Sequence, residues 1–521
     1  MGKGRRRKGP AARLVLVLHA HLPYARIPEE RFPAQELWLH QNIAECYIPL
    51  LRAMERLAGD GVHFPLTISL SPPLVAMLGD GYYRRKFADY LDCVTALARA
   101  HATPDGGALS AALSHLADRL GETRDWWNTA DGDLAARFRL LSERGAITLV
   151  TTTATHALLP AYRFSSALER LQIRTGQNVF ACAFGPAPRG LWLPEMGYHA
   201  GLDGLLRDCG VEYTFLEAHA AYHAEDGPEH GNFMPFVSET GLAIFPRELR
   251  LSGAVWAHRV GYPGDARYRE FHADHTWRMS EHELARIGLE RIPLGIKVHR
   301  ITGNDVPREP YDHREGEAAA REHAADFVAR IRGRAAEVAP LLGRSPVFTL
   351  PFDMELFGHW WHEGPVFLEE LARLADRAGD IAFVTPEELL REGIDSRGRP
   401  AESSWGKSGY FDTWLNPACL HAYSIIAELG GRLFARRPNA RTLTAYRQAA
   451  AEIMLAQSSD WPFFIAWDRF ADYGRARLDE HITAAARILA GIETGELDDD
   501  YVRTRVERYP LFAASSIESI I

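Results

Sequence analysis

Seven short apolar runs in the first 400 residues each stop at polar or ionisable side chains. Residues 14–18 run into His19-Ala20-His21, and residues 147–150 run into a threonine-rich stretch ending at His156. Residues 191–194 lead to Glu195, 213–216 to Glu217 and 347–350 to Pro351-Phe352-Asp353, while 296–299 and 381–384 complete the set. Helical patterns, such as 317–338 and 366–378, lie between them. Apolar strands alternating with helices predict an α/β fold with a parallel sheet. Chemistry gathered just beyond strand ends predicts a β/α barrel, whose site lies at the C-terminal face of its strands.

Two stretches depart from this rhythm. Residues 74–145 look helical, with a break at Thr103-Pro104-Asp105-Gly106-Gly107, and read as an insertion on the barrel. Residues 218–232 are rich in His, Gly and acidic side chains and read as a mobile loop. Beyond about residue 400 the strands stop. Amphipathic patterns at 420–436, 441–457 and 473–492 predict a C-terminal helical domain over 401–521, after a barrel over 13–400. The basic start, Lys3-Gly4-Arg5-Arg6-Arg7-Lys8, reads as part of a disordered tail over 1–12.

Composition narrows the partners. A formal net charge of -9 argues against nucleic acid or an anionic membrane as the main partner. No apolar stretch reaches the length of a membrane span. The five cysteines are scattered, with neither a disulfide framework nor zinc spacing, which fits a reducing, cytoplasmic setting. Twelve tryptophans, several in Gly-rich polar surroundings, offer flat apolar faces that suit sugar rings as well as cores.

Glu195 and Asp353 stand out among the acids. Each follows an apolar strand among aromatic neighbours, where burial raises a carboxyl pKa as a general acid requires. A retaining glycosidase uses one carboxylate as nucleophile and another, about 5–5.5 Å away, as acid/base. An isolated acid in such a setting equally caps a helix or pairs with an arginine. His19 and His21, two apart on a strand, share a face. With His156 they would make a three-histidine metal site or a set of neutral hydrogen-bond partners. There is no nucleophile elbow, phosphate-binding loop or dinucleotide fingerprint, so no nucleotide cofactor is implied.

In these residues the chain resembles glycoside hydrolase family 57, over about 13–510 and in five ordered blocks. They are Leu18-His19-Ala20-His21-Leu22-Pro23-Tyr24, Ala154-Thr155-His156-Ala157, Trp192-Leu193-Pro194-Glu195, the run from Leu350 through Asp353 to Trp361, and Ser458-Ser459-Asp460-Trp461-Pro462-Phe463. The resemblance implies a seven-stranded β/α barrel with helical domains and no metal or organic cofactor. It assigns Glu195 as nucleophile and Asp353 as proton donor. Val255-Trp256, Gly261-Tyr262-Pro263-Gly264-Asp265 and Gly295-Ile296-Lys297-Val298-His299 are similar to stretches of the members that branch α-1,4-glucans.

By that likeness Arg247, Gly264, Trp405 and Asp460 contact glucan, and Trp405 and Trp414 form aromatic platforms on a helical domain that completes the cleft. His19, His21, His156, Trp256 and Trp360 are further candidate substrate contacts. Such relatives carry a loop tyrosine over the site, and Tyr222 is the only tyrosine in 218–232. The second block has Thr-His-Ala where relatives often have Thr-His-Gly. The implied reaction cuts an α-1,4 bond and transfers the chain to a 6-hydroxyl. An amylase or 4-α-glucanotransferase would use the same pair of acids. A metal-dependent polysaccharide deacetylase would use the three histidines, and a glucan-binding protein would use only the cleft.

Overall fold

The computed structural model describes residues 9–257, 260–303, 306–468, 470–512 and 517. The basic run at residues 3–8 lies outside them. The strands are β1 (Ala12–Ala20), β2 (Leu66–Leu70), β3 (Ile147–Val150), β4 (Tyr213–Leu216), β5 (Phe236–Val237), β6 (Ala243–Pro246), β7 (Val347–Asp353) and β8 (Ile381–Phe383). One sheet has the order β3-β2-β1-β7, all parallel, and β4 pairs parallel with β6 in a second.

Single parallel bridges join the two sheets into a ring. Leu191 pairs with Thr151 beyond β3, Gly190 pairs with Tyr213 of β4, and Arg247 after β6 pairs with Thr349 of β7. The segment 190–192 is thus a seventh member, between β3 and β4. The fold is a (β/α)7 barrel. β8 pairs with Ala12, Arg13 and Leu14 beside the ring, and β5 pairs antiparallel with β6.

Strand alternation explains what the barrel presents at its mouth. On β1, Val15 and Val17 pack in one core with Trp192, Phe215, Phe245 and Val347. Leu14, Leu16 and Leu18 face a different core shared with the surrounding helices. Both faces are buried, so the strand is apolar almost throughout. His19 continues the inner face, as does Asp353 two residues beyond Pro351 on β7. In register, His19 lies opposite Ser69 of β2 and Asp353 of β7.

Between β2 and β3 run the helices Pro72–Gly79, Gly81–His101, Gly107–Thr129 and Leu134–Glu143. Ser71 caps the first by accepting from the Leu74 N–H, and Asp80 and Asp133 cap two others. The long helix His313–Leu342 packs beside Gly364–Ala378 on the barrel exterior. After residue 400 come the helices Leu420–Phe434, Leu443–Ala456, Asp460–Ala466, Ala471–Thr494 and Asp499–Arg508. All five cysteines are free thiols. Among the described residues no helix is long and apolar enough to cross a membrane.

The structure corrects one expected strand. Residues 296–299 form only isolated antiparallel bridges, Asp274 with Lys297 and His299 with Pro310. Gly295 turns the chain at φ 87°, and Lys297 is held by the buried Glu45 carboxylate at 3.0 Å rather than by a ladder. β2 and β6 take strand places that periodicity did not single out. The 218–232 stretch forms the short helix His219–Tyr222, then turns leading into the single helical turn Gly231–Phe233, and its Glu225 pairs with Arg399.

Candidate active site

Glu195 sits in the turn Pro194–Met196 with left-handed backbone, φ 61°. Met196 and His156 are also at positive φ. Such conformations cost free energy in non-glycine residues and persist where the surroundings impose them. Here the Trp405 N–H donates to the Glu195 carbonyl at 3.0 Å. The carboxylate is held as firmly: Trp405 Nε1 donates to one oxygen at 2.7 Å, and Ser459 Oγ to the other at 2.8 Å. Burial raises the Glu195 pKa, and these two hydrogen bonds to the charged form pull it back.

Asp353 ends β7 on the same cleft. No described side chain hydrogen-bonds its carboxyl group. Burial first, then the charges of Glu355 and Glu195, push its pKa well above the ordinary value, with Arg247 opposing. Glu355 is itself raised to about 7, by burial against the hydrogen bond it accepts from Tyr47 Oη at 2.6 Å. Burial thus pushes both acids up, Glu195 against two hydrogen bonds to its charged form and Asp353 with none. Environments that differ in this way suit two carboxyl groups to different roles in acid–base chemistry.

The histidines form a directed chain behind Glu195. Ser69 Oγ lies 3.0 Å from His19 Nδ1, His19 Nε2 lies 2.9 Å from His156 Nε2, and His156 Nδ1 lies 2.8 Å from Ser459 Oγ. Burial pushes the pKa of both imidazoles well down, which favours the neutral rings. With Glu195 ionised, one proton arrangement satisfies every bond. Ser459 O–H donates to Glu195, His156 Nδ1–H donates to Ser459, His19 Nε2–H donates to His156, and Ser69 O–H donates to His19. His21 bridges Ser71 at 2.9 Å and Asp460 at 3.0 Å. Burial raises the Asp460 pKa, but His21 and the Ser458 hydroxyl bring it below the ordinary value.

This arrangement does not fit three metal ligands. The His21 and His156 rings stack with centroids 3.8 Å apart and planes 8° apart, and His19 stacks on Trp192. Parallel stacked rings cannot aim their lone pairs at a common ion, and the nitrogens are already hydrogen-bonded. Among the described residues no group of three His, Cys, Asp or Glu side chains is arranged to hold a metal.

The cleft encloses about 580 Å³. It gathers Glu195, Asp353, His19, His21, His156, Arg247, Trp256, Trp360, Trp405, Trp414 and Asp460. Trp256 stacks on Trp405 at 6.1 Å and meets Trp360 edge-on at 6.5 Å, forming an aromatic wall. Arg247 is paired with Glu217 at 3.1 Å and leaves a buried Nε without a partner. Trp405 and Trp414 lie in the irregular connection ahead of Leu420–Phe434, not on a helix. Trp414 is only 2 % exposed, so it offers no open face as a platform. A Cβ on Gly406 would come within 2.5 Å of its ring, so only glycine allows this approach.

Two expected contacts are elsewhere. Gly264, in the turn Tyr262–Gly264, is not among the cleft-lining residues. Tyr222 is 52 % exposed, does not line the cleft, and donates its hydroxyl to Asn232 at 2.8 Å. The short helix His219–Tyr222 and the bond from Asn232 to the Arg247 carbonyl hold it there. Conversely, Ser459, Ser69 and Glu355 belong to the site without having been singled out. Glu355 follows Asp353 by two residues in a run rich in aromatics, a spacing that could have signalled it.

A closed parallel barrel with two differently poised acids and an aromatic wall at its mouth defines a carbohydrate-active enzyme of the acid–base type. The model of Glycosyl hydrolase family 57 matches residues 15–400, and the chain belongs to that family. A model described as 1,4-alpha-glucan branching enzyme, C-terminal, matches residues 431–518. A curated 1,4-alpha-glucan branching enzyme from Thermococcus kodakarensis is 28% identical over 95% of this chain and 76% of its own. The crystal structure of a GH57-type branching enzyme from Pyrococcus horikoshii superposes with TM-score 0.88 at 29% identity, covering 98% of this chain and 97% of that one. The α-amylase AmyC from Thermotoga maritima superposes with TM-score 0.89 at 30% identity, covering 98% and 99%.

Proposed function

We propose that the protein is a 1,4-α-glucan branching enzyme working by a retaining double displacement. The observation that carries this reading is the split between the acids: Glu195 accepts two hydrogen bonds that favour its charged form, while burial and neighbouring charge push the Asp353 pKa well up. Glu195 attacks the anomeric carbon of an α-1,4-linked glucose, and the bond to the departing oxygen breaks as Asp353 protonates it. The cut chain remains as an ester on Glu195. Asp353, now a carboxylate, takes the proton of a glucan 6-hydroxyl, whose oxygen displaces Glu195 and leaves an α-1,6 branch. Arg247 and the wall of Trp256, Trp360 and Trp405 hold the glucan, and His19, His156 and Ser459 keep the Glu195 carboxylate aimed.

The barrel supplies the acids, and the segment after residue 400 completes the cleft with Trp405, Ser459 and Asp460. The family likeness and the C-terminal match support this division. A second reading, α-amylase, is favoured by two observations: the superposition on AmyC, and Tyr222 lying off the cleft, which leaves water a path to the ester. Incubation with amylose tests both. Branching yields α-1,6 signals by proton NMR at constant reducing ends. Reducing ends that climb without α-1,6 signals would replace the branching reading with hydrolysis.

A further inference from the structure

The cleft contains aromatic side chains that neither hydrogen-bond the acids nor stack in the wall of Trp256 and Trp405. Phe463 and Trp467 come from the helix Asp460–Ala466 and the residue after it. Their rings are 6.0 Å apart at 38°, as expected for side chains one helical turn apart. Both line the same cavity as Glu195 and Asp353, yet Phe463 is 41 % and Trp467 64 % exposed. The pair therefore lies at the solvent end of the cleft. Two large adjacent rings left in water forgo the stabilisation that burial would give them, and such a patch marks a contact surface when it continues a binding cleft.

The helix beneath the pair is packed against the barrel. Phe464, half-buried on the same helix, packs on Trp38 of the barrel at 5.6 Å. Trp461 is buried and donates its indole N–H to the Leu455 carbonyl at 2.7 Å. The same helix begins at Asp460, which is bonded to His21. One helix thus runs from the acid-bearing end of the cleft to Phe463, and Trp467 follows its last turn.

We propose that Phe463 and Trp467 form a distal platform for an α-1,4-glucan chain. It stacks on sugar units beyond those at the cleavage point, so the enzyme favours long chains over short oligosaccharides. The apolar C–H faces of a glucan helix fit flat aromatic rings, and continuity with the acid-bearing cleft selects glucan as the occupant. The inference rests on the reading of that cleft as an α-1,4-glucan site.

The test compares Trp467→Ala and the Phe463→Ala/Trp467→Ala double variant with wild type on amylose and on maltoheptaose. Removing aromatic anchors should raise the apparent KM for amylose about fivefold or more, with kcat within about twofold. Turnover of maltoheptaose should be retained. In a Glu195→Gln background, retardation by amylose in native gels should weaken by a similar factor. An unchanged KM for amylose in an active enzyme overturns the platform alone. Equal losses on the long and short substrates also overturn it, since they report a disturbed catalytic centre. A wild-type enzyme that neither binds nor converts amylose overturns the glucan reading and the platform together. Circular dichroism and Tm of the variants verify that the fold is retained.

Discussion

At Glu195 backbone strain, two hydrogen-bond donors and a train of histidines converge on one carboxylate. Asp353 has none of these, and burial and the Glu355 charge push its pKa well up. Glu195→Gln and Asp353→Asn should each lower turnover of amylose by about 10³-fold or more while circular dichroism stays native, because in the proposed mechanism each removes a group that acts in the bond-breaking step. The pH–rate profile should be bell-shaped. Activity falls at low pH as Glu195 gains a proton and at high pH as Asp353 loses one, the two limbs belonging to the coupled pair. The Glu355 charge raises the Asp353 pKa, so Glu355→Gln should move the basic limb to lower pH, measured from kcat/KM profiles. A basic limb that stays put would detach Glu355 from the acid. The raised Asp353 pKa also has a stability sign. Its favourable contribution is complete below the unfolded carboxyl pKa and is lost as pH rises through the folded value. Asp353→Asn should therefore gain in Tm over wild type between acid and neutral pH.

Among the elements, the turn at Ser458-Ser459-Asp460 has the most concentrated role. Ser459 bonds Glu195 and His156, and Ser458 and His21 hold Asp460. Removing the Ser459 hydroxyl takes away one of the bonds that pull the Glu195 pKa down. Ser459→Ala should thus shift the acid limb to higher pH and lower kcat more than it alters KM. A loss confined to KM would mean that Ser459 meets substrate rather than the carboxylate. β1 was legible as a strand ending in chemistry because its apolar run is long and stops at His19. β2 and the 190–192 segment were harder to see. Prolines flank the five residues of β2, and 190–192 joins the ring through single bridges, so neither has a run long enough for periodicity to mark. Residues 296–299 have strand composition, yet the charge of Lys297 is required by Glu45, and that pairing decided their place.

At the scale of the molecule the barrel and the C-terminal helices share one apolar core, with Ile43 and Leu168 in the same cluster as Leu429, Ile453 and Leu489. Polar contacts cross the same boundary. Gln172 donates to the Met454 carbonyl at 3.2 Å, and Arg477 donates to the Tyr24 carbonyl at 3.3 Å. Calorimetry of the full chain should show one cooperative unfolding transition. A chain ended at residue 400 should lose both solubility and turnover, since it exposes that core and lacks Trp405, Ser459 and Asp460. Independent melting of the two parts, or an active truncated barrel, would separate them.

The sequence by itself determined the strand-and-helix rhythm and the parallel barrel, and its motifs pointed to Glu195 and Asp353, the acids that the proposed mechanism uses. These follow from local apolar runs and from motifs contiguous in the chain. Only the tertiary structure decided what surrounds the two acids. Ser459 lies 264 residues from Glu195 and Trp405 lies 210 away, yet both bond it. A hydrogen bond that fixes a protonation state depends on distance in space, and that distance exists only once the barrel has closed and the helices have packed across its mouth.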